Sequence, residues 1–116
     1  MHFQIEPTAQ PKLVRCTGGS IYDVIVDLRS NSSTHRQWFG VELSAANHLA
    51  LFIPAGFAHG FQTLADDTEV LYEMFERYAP DTARGVRYDD PAFGIRWPLP
   101  VSIISDRDRT YADYHG

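Results

Sequence analysis

Short β-prone runs recur along the chain at near-regular spacing, each closed by turn-forming residues, and no stretch carries a long helical period. That pattern constrains the fold most. A chain with many short strands and no long helix buries its apolar faces as an all-β sandwich or barrel. Lys12 to Cys16 is one such run, closed by Thr17-Gly18-Gly19-Ser20. Ile21 to Leu28 alternates apolar and polar residues in part, as a half-buried strand does, and Ser30 to Thr34 reads as a loop. Gln37 to Leu43, Leu49 to Ile53, His59 to Leu64 and Glu69 to Glu76 follow as strands. Ser44-Ala45-Ala46-Asn47 and Ala65-Asp66-Asp67-Thr68 supply turns between them. Alternation is already under way at Met1-His2-Phe3-Gln4, so the chain reads as opening in mid-strand. Beyond Tyr78-Ala79-Pro80-Asp81 the texture turns irregular, with Ile103-Ile104-Ser105 as a last short strand or edge and a polar tail after Asp106. Its 116 residues, 44% hydrophobic, predict one domain over 1–116 with a single core.

Charge and motifs remove several function classes. The net charge of −5, from 10 basic and 15 acidic residues, leaves no basic face for nucleic acid. Arginines at 77, 84, 87, 96, 107 and 109 are mostly interleaved with acids and read as solvated surface, though a few local cations suffice for a phosphorylated ligand. The single cysteine, Cys16, forbids an internal disulfide and reads as a small strand residue. No signal peptide or membrane-length apolar stretch is visible, so neither membrane nor nucleic acid is an expected partner, and the cytoplasm is the expected location. His2, His35, His48, His59 and His115 are scattered without the spacing that converges three or four ligands, so no metal site is expected. There is no Gly-x-Ser-x-Gly elbow and no Gly-rich phosphate loop ahead of a helix.

The segment Ile53-Pro54-Ala55-Gly56-Phe57-Ala58-His59-Gly60-Phe61 is the most informative local stretch. Proline fixes one backbone angle and glycine permits another, which makes a rigid turn that holds His59 on the next strand. A histidine so held either satisfies a structural bond or does proton chemistry. His2, Lys12, Asp23, His59, Tyr72 and Asp108 form a set suited to the second. Histidine takes a proton from carbon beside a carbonyl, tyrosine returns one, and lysine stabilises the enolate oxygen between the two steps. Each also has a plain structural reading: Tyr72 as an amphipathic strand residue, Lys12 as a surface charge.

From His2 to Asp108 the chain resembles the dTDP-4-dehydrorhamnose 3,5-epimerase family. The resemblance rests on Met1-His2-Phe3-Gln4, Pro11-Lys12-Leu13-Val14-Arg15, Asp23 to Arg29, Val41-Glu42-Leu43-Ser44 and Ile53 to Phe61. It continues through Leu71-Tyr72, Tyr78-Ala79-Pro80, Asp89-Asp90-Pro91, Ile95-Arg96-Trp97-Pro98 and Ile104 to Asp108. It implies a cupin-type antiparallel jelly roll, a homodimer, and epimerisation of a nucleoside-diphosphate 4-keto-6-deoxy sugar without metal or redox cofactor. The residues it implies are His2 as general base, Tyr72 as general acid, Lys12 at the enolate and Asp108 orienting His2, with Asp106 as the alternative partner. His59, Asp23, Gln4 and Tyr78 would contact substrate. Family members carry a further region ahead of this histidine that helps hold the nucleotide. The expectation is therefore an N-terminally short relative with weak epimerase activity, or a sugar-nucleotide-binding or assembly module. With His2 beside the first residue, fraying is expected to blur its position.

Overall fold

The computed structural model describes residues 1–6, 9, 11–74 and 80–116. Its strands are β1 His2–Gln4, β2 Lys12–Gly18, β3 Ser20–Asp27, β4 Trp38–Ser44, β5 Ala50–Ile53, β6 Phe57–Thr63, β7 Glu69–Met74 and β8 Ala83–Gly85. They form a five-stranded sheet in the order β4-β3-β6-β1-β8 and a three-stranded sheet in the order β5-β2-β7, with every pairing antiparallel. This is the jelly roll that the resemblance implied. The two sheets face one another. Val14, Cys16 and Ile53 from the smaller sheet pack with Ile21, Ile25 and Leu43 from the larger one. Each aliphatic side chain so buried contributes about 1.5–3 kcal/mol relative to exposure.

β3 explains why alternation was only partial. Ile21 and Ile25 face the inter-sheet core, whereas Val24 and Val26 face a second core on the sheet's other side. Both faces of this central strand are covered, so its pattern approaches a continuous apolar run. The covering layer is the irregular C-terminal segment: Phe93, Ile95, Trp97 and Tyr114 pack there with Met1, Ala58 and Val86. Asp90, 2% exposed, ties that layer down by accepting the amides of Ala92 and Tyr114 at 2.9 and 2.8 Å.

Several expectations are corrected. The first residue does not fray: Met1 is 6% exposed, its amino group donates to the Val86 carbonyl at 2.9 Å, and the Val86 amide donates back at 2.8 Å. Residues 103–105 form no strand. Pro98 and Pro100 lack the amides a ladder needs, Ile103 is 94% exposed, and Ser105 instead caps a one-turn helix, α1 Asp106–Arg109. The tail after Asp106 is not simply polar, since Tyr114 joins the outer core. β8 was not foreseen because three residues carry no readable period. The first turn is also tighter than expected: β2 runs to Gly18, and only Gly19, at φ +69, separates it from β3 in the other sheet. Residues 75 and 76 of the expected seventh strand lie outside the described residues. Among the described residues no helix is long and apolar enough to cross a membrane.

Candidate active site

Strand register decides which side chains meet. β1 and β6 place His2 directly opposite His59, so both side chains leave the same face of the large sheet. Met1 and Phe3 belong to the outer core, which leaves His2 and Gln4 on the inner face. On the facing sheet Val14 is fully buried, and Lys12, two residues earlier, shares its side. Tyr72 is the register partner of Val14 and also points inward, while Leu71, opposite Arg15, points out. His2, Gln4, Lys12, His59, Tyr72 and Asp108 thereby line one cavity of about 850 Å³.

His59 is carried there by the turn before β6. Gly56 has φ +90, open to glycine at little cost, and its carbonyl accepts the Leu28 amide at 3.1 Å. The His59 Nε2 meets Asp23 Oδ1 at 2.5 Å, and its ring stands edge-on to Tyr72 with centroids 5.8 Å apart. Asp23 itself does not reach the cavity. It is fully buried behind His59, on the inter-sheet face of β3 that also carries Ile21 and Ile25. Its second oxygen, Oδ2, has no hydrogen-bond partner among the described residues.

His2 makes the opposite kind of pair. Its Nε2 lies 2.6 Å from Asp108 Oδ1, with side chains 52% and 31% exposed. Asp108 is presented by α1, where its amide donates to the Ser105 hydroxyl at 3.1 Å. Asp106, the alternative partner, turns away on the same helix to pair with Arg109. Tyr78 lies outside the described residues. Among them, no group of three or more His, Cys, Asp or Glu could hold a metal ion.

Burial and the Asp23 charge shape the titrating groups. Burial lowers the Lys12 pKa, and the attraction of Asp23 partly opposes that shift. The Tyr72 phenol is pushed up to about 12, first by burial and then by Asp23. Burial alone would raise the Asp108 carboxyl, but the His2 hydrogen bond and charge, the Ser105 bond and the terminal ammonium leave it lowered. At neutral pH the cavity thus holds a histidine with an ionised partner on one wall, and on the opposite wall a neutral phenol and the lysine of the neighbouring strand. Such a set can remove a proton from one side of a flat carbon centre, add one from the other and steady an oxyanion.

Sequence reading missed two parts of this wall. Arg84 comes from the unforeseen β8, and Gln62 clamps the 97–105 segment by exchanging two bonds with the Leu99 backbone, at 2.8 and 3.1 Å. No local signal marked either, since both depend on pairings distant in the chain.

Comparison with known proteins bears on what such a cavity serves. A family profile described as dTDP-4-dehydrorhamnose 3,5-epimerase matches residues 1–115. The enzyme of that name from Sinorhizobium fredii is 49% identical over 109 residues, covering 93% of this chain and 56% of the enzyme. The one from Methanothermobacter thermautotrophicus is 49% identical over 114 residues, covering 96% and 61%. The crystal structure of the Bacillus anthracis enzyme with TDP and PPi bound superposes with a TM-score of 0.94 at 49% identity, covering 97% of this chain and 65% of that one. A 3′-monoepimerase from Streptomyces bikiniensis in complex with dTDP-quinovose gives 0.85 at 35% identity, covering 92% and 55%. The chain therefore spans less than two thirds of the length of these relatives.

Proposed function

The chain belongs to the dTDP-4-dehydrorhamnose 3,5-epimerase family, and from that premise we propose that residues 1–116 act as one cupin-type domain that epimerises a nucleoside-diphosphate 4-keto-6-deoxy sugar. His2 takes the proton from a carbon beside the 4-keto group, and the C–H electron pair moves into an enolate. Lys12 donates to the enolate oxygen. Tyr72 then delivers a proton to the opposite face of the same carbon, and the ketone reforms with inverted configuration. Asp108 holds the His2 ring and favours its charged form after abstraction. Asp23 accepts from the Nε2–H of His59, which leaves Nδ1 as the ring nitrogen for a sugar oxygen. Gln4 and Tyr78 complete the substrate contacts.

One observation carries this reading. His2 and Tyr72 stand on opposite sheets of one cavity, with Lys12 lining it from the strand next to that of Tyr72. Inversion needs removal on one face and return on the other. A homodimer is part of the proposal: Phe52 and Leu71, exposed on the outward face of the small sheet, offer apolar surface to a second copy.

The test is deuterium uptake at C3 and C5 of a dTDP-linked 4-keto-6-deoxyhexose in heavy water. Uptake is expected with the unmodified chain, and its loss in His2→Ala and Tyr72→Phe. Undiminished exchange in His2→Ala removes the proposed base. No exchange in any form, with the sugar nucleotide still bound, assigns the chain to binding alone.

A further inference from the structure

His2 is 52% exposed at its side chain, and its hydrogen bond to Asp108 of a four-residue helix does not by itself fix an imidazole ring to the tolerance that proton transfer requires. A further contact supplies the constraint. The Tyr111 ring lies edge-on to the His2 ring, with centroids 6.3 Å apart and planes at 78°. It occupies the space above Gly85, the residue directly opposite His2 in the β1–β8 pairing. A Cβ at Gly85 would stand 2.0 Å from the Tyr111 Cζ, so glycine at 85 is what lets the ring lie there. Tyr111 is held at both ends. Arg107 Nε donates to its hydroxyl at 3.1 Å, and Arg87 Nη1 donates to its carbonyl at 3.1 Å. Arg107 belongs to the same helical turn as Asp108, so one side chain spans β8, α1 and the face of the histidine.

We propose that Tyr111 is a positioning residue for the His2–Asp108 pair, wedged over Gly85 so that the imidazole has one orientation. The proposal rests on the reading of His2 as the base. Tyr111 does not line the main cavity and touches no reacting atom. Its effect is on how often the base is aimed, which acts on kcat and leaves substrate affinity nearly unchanged. Gly85 and Tyr111 act together: the ring needs the missing side chain, and the histidine needs the ring.

The experiment combines kinetics of the deuterium exchange with nitrogen-edited NMR of the histidine rings, on folded protein verified by circular dichroism. Tyr111→Ala is expected to lower kcat by about tenfold, with KM changed by less than about twofold, and to broaden or split the His2 ring signals. Gly85→Ala, which displaces the ring without deleting it, is expected to act in the same direction. It also serves if Tyr111→Ala does not fold. Tyr111→Phe keeps the wedge and is expected to restore kcat to within about twofold. His2 signals in Tyr111→Ala and Gly85→Ala identical to those of the unmodified chain overturn the proposal, as does an unchanged kcat. If the unmodified chain exchanges no deuterium, the epimerase reading fails, and the NMR comparison still decides whether Tyr111 orders His2.

Discussion

The buried His59–Asp23 pair makes a prediction whose sign, more than its size, is diagnostic. Both side chains are nearly out of contact with water, at 5% and 0% exposure, and one carboxylate oxygen has no hydrogen-bond partner among the described residues. Taking His59 away strips the buried Asp23 of its ion-pair partner, which costs roughly 3–5 kcal/mol, offset in part by the attraction between Asp23 and Lys12. Loss of the ring contacts with Phe61 and Tyr72 adds to that. In a domain of this size about 1 kcal/mol moves the melting temperature by about 3–5 °C, so His59→Ala is expected to lower it by about 10–20 °C. Asp23→Asn keeps the shape, loses a charge-assisted bond of roughly 1.5–3 kcal/mol and regains part of the desolvation cost of the orphaned oxygen. Its melting temperature is expected to fall by less than half as much. The decisive variant is the double substitution. Adding Asp23→Asn to His59→Ala removes the stranded charge and raises the melting temperature above that of His59→Ala alone. The assay is thermal unfolding at neutral pH followed by circular dichroism, analysed as a double-mutant cycle. A double variant less stable than His59→Ala refutes the claim that Asp23 is a costly charge held in place by the histidine.

Two further outcomes are expected. Asp27, 1% exposed, accepts from Arg29 first and from Ser32 and Thr34 as well, and these bonds hold its carboxyl well below the usual carboxylate range. A depressed folded pKa gives stability that is present above about pH 4 and is lost as pH falls through the folded value. Acid titration of unfolding is therefore expected to show a steeper loss of stability below that pH in the unmodified chain than in Asp27→Asn, and equal slopes contradict the assignment. Sedimentation at micromolar concentration is expected to show a dimer, with Phe52→Glu or Leu71→Glu shifting it toward monomer, and a monomer of the unmodified chain removes the homodimer from the proposal.

Most of the strand framework was legible because turn chemistry interrupts the chain between consecutive strands up to Met74. The rest was hidden for physical reasons. β8 is too short to show a period and exists by pairing with β1, whose alternation from Met1 was legible. The C-terminal segment has no regular structure to read, yet it supplies the outer core, through bonds such as Asp90 to Tyr114 that join positions far apart in the chain. At the site, residue identities came from family resemblance, and geometry sorted them. Asp106 and Asp108 were equivalent on an assumed strand edge. A helical turn separates them, sending one to Arg109 and the other to His2. Alternation of Asp23 with Ile21 and Ile25 makes its inter-sheet face readable, but that face also carries His59, so only the packing shows Asp23 buried behind the histidine and off the pocket wall.

The hydrogen bond between His2 and Asp108 closes a loop of 106 positions in a chain of 116. Contacts of that separation carry the largest closure entropy and reward the chain only after the intervening strands are docked. Barrel and outer layer must both be assembled before the two side chains meet. The proposed catalytic pair is therefore a late product of folding, and activity would report completion of the whole architecture rather than formation of its sheets.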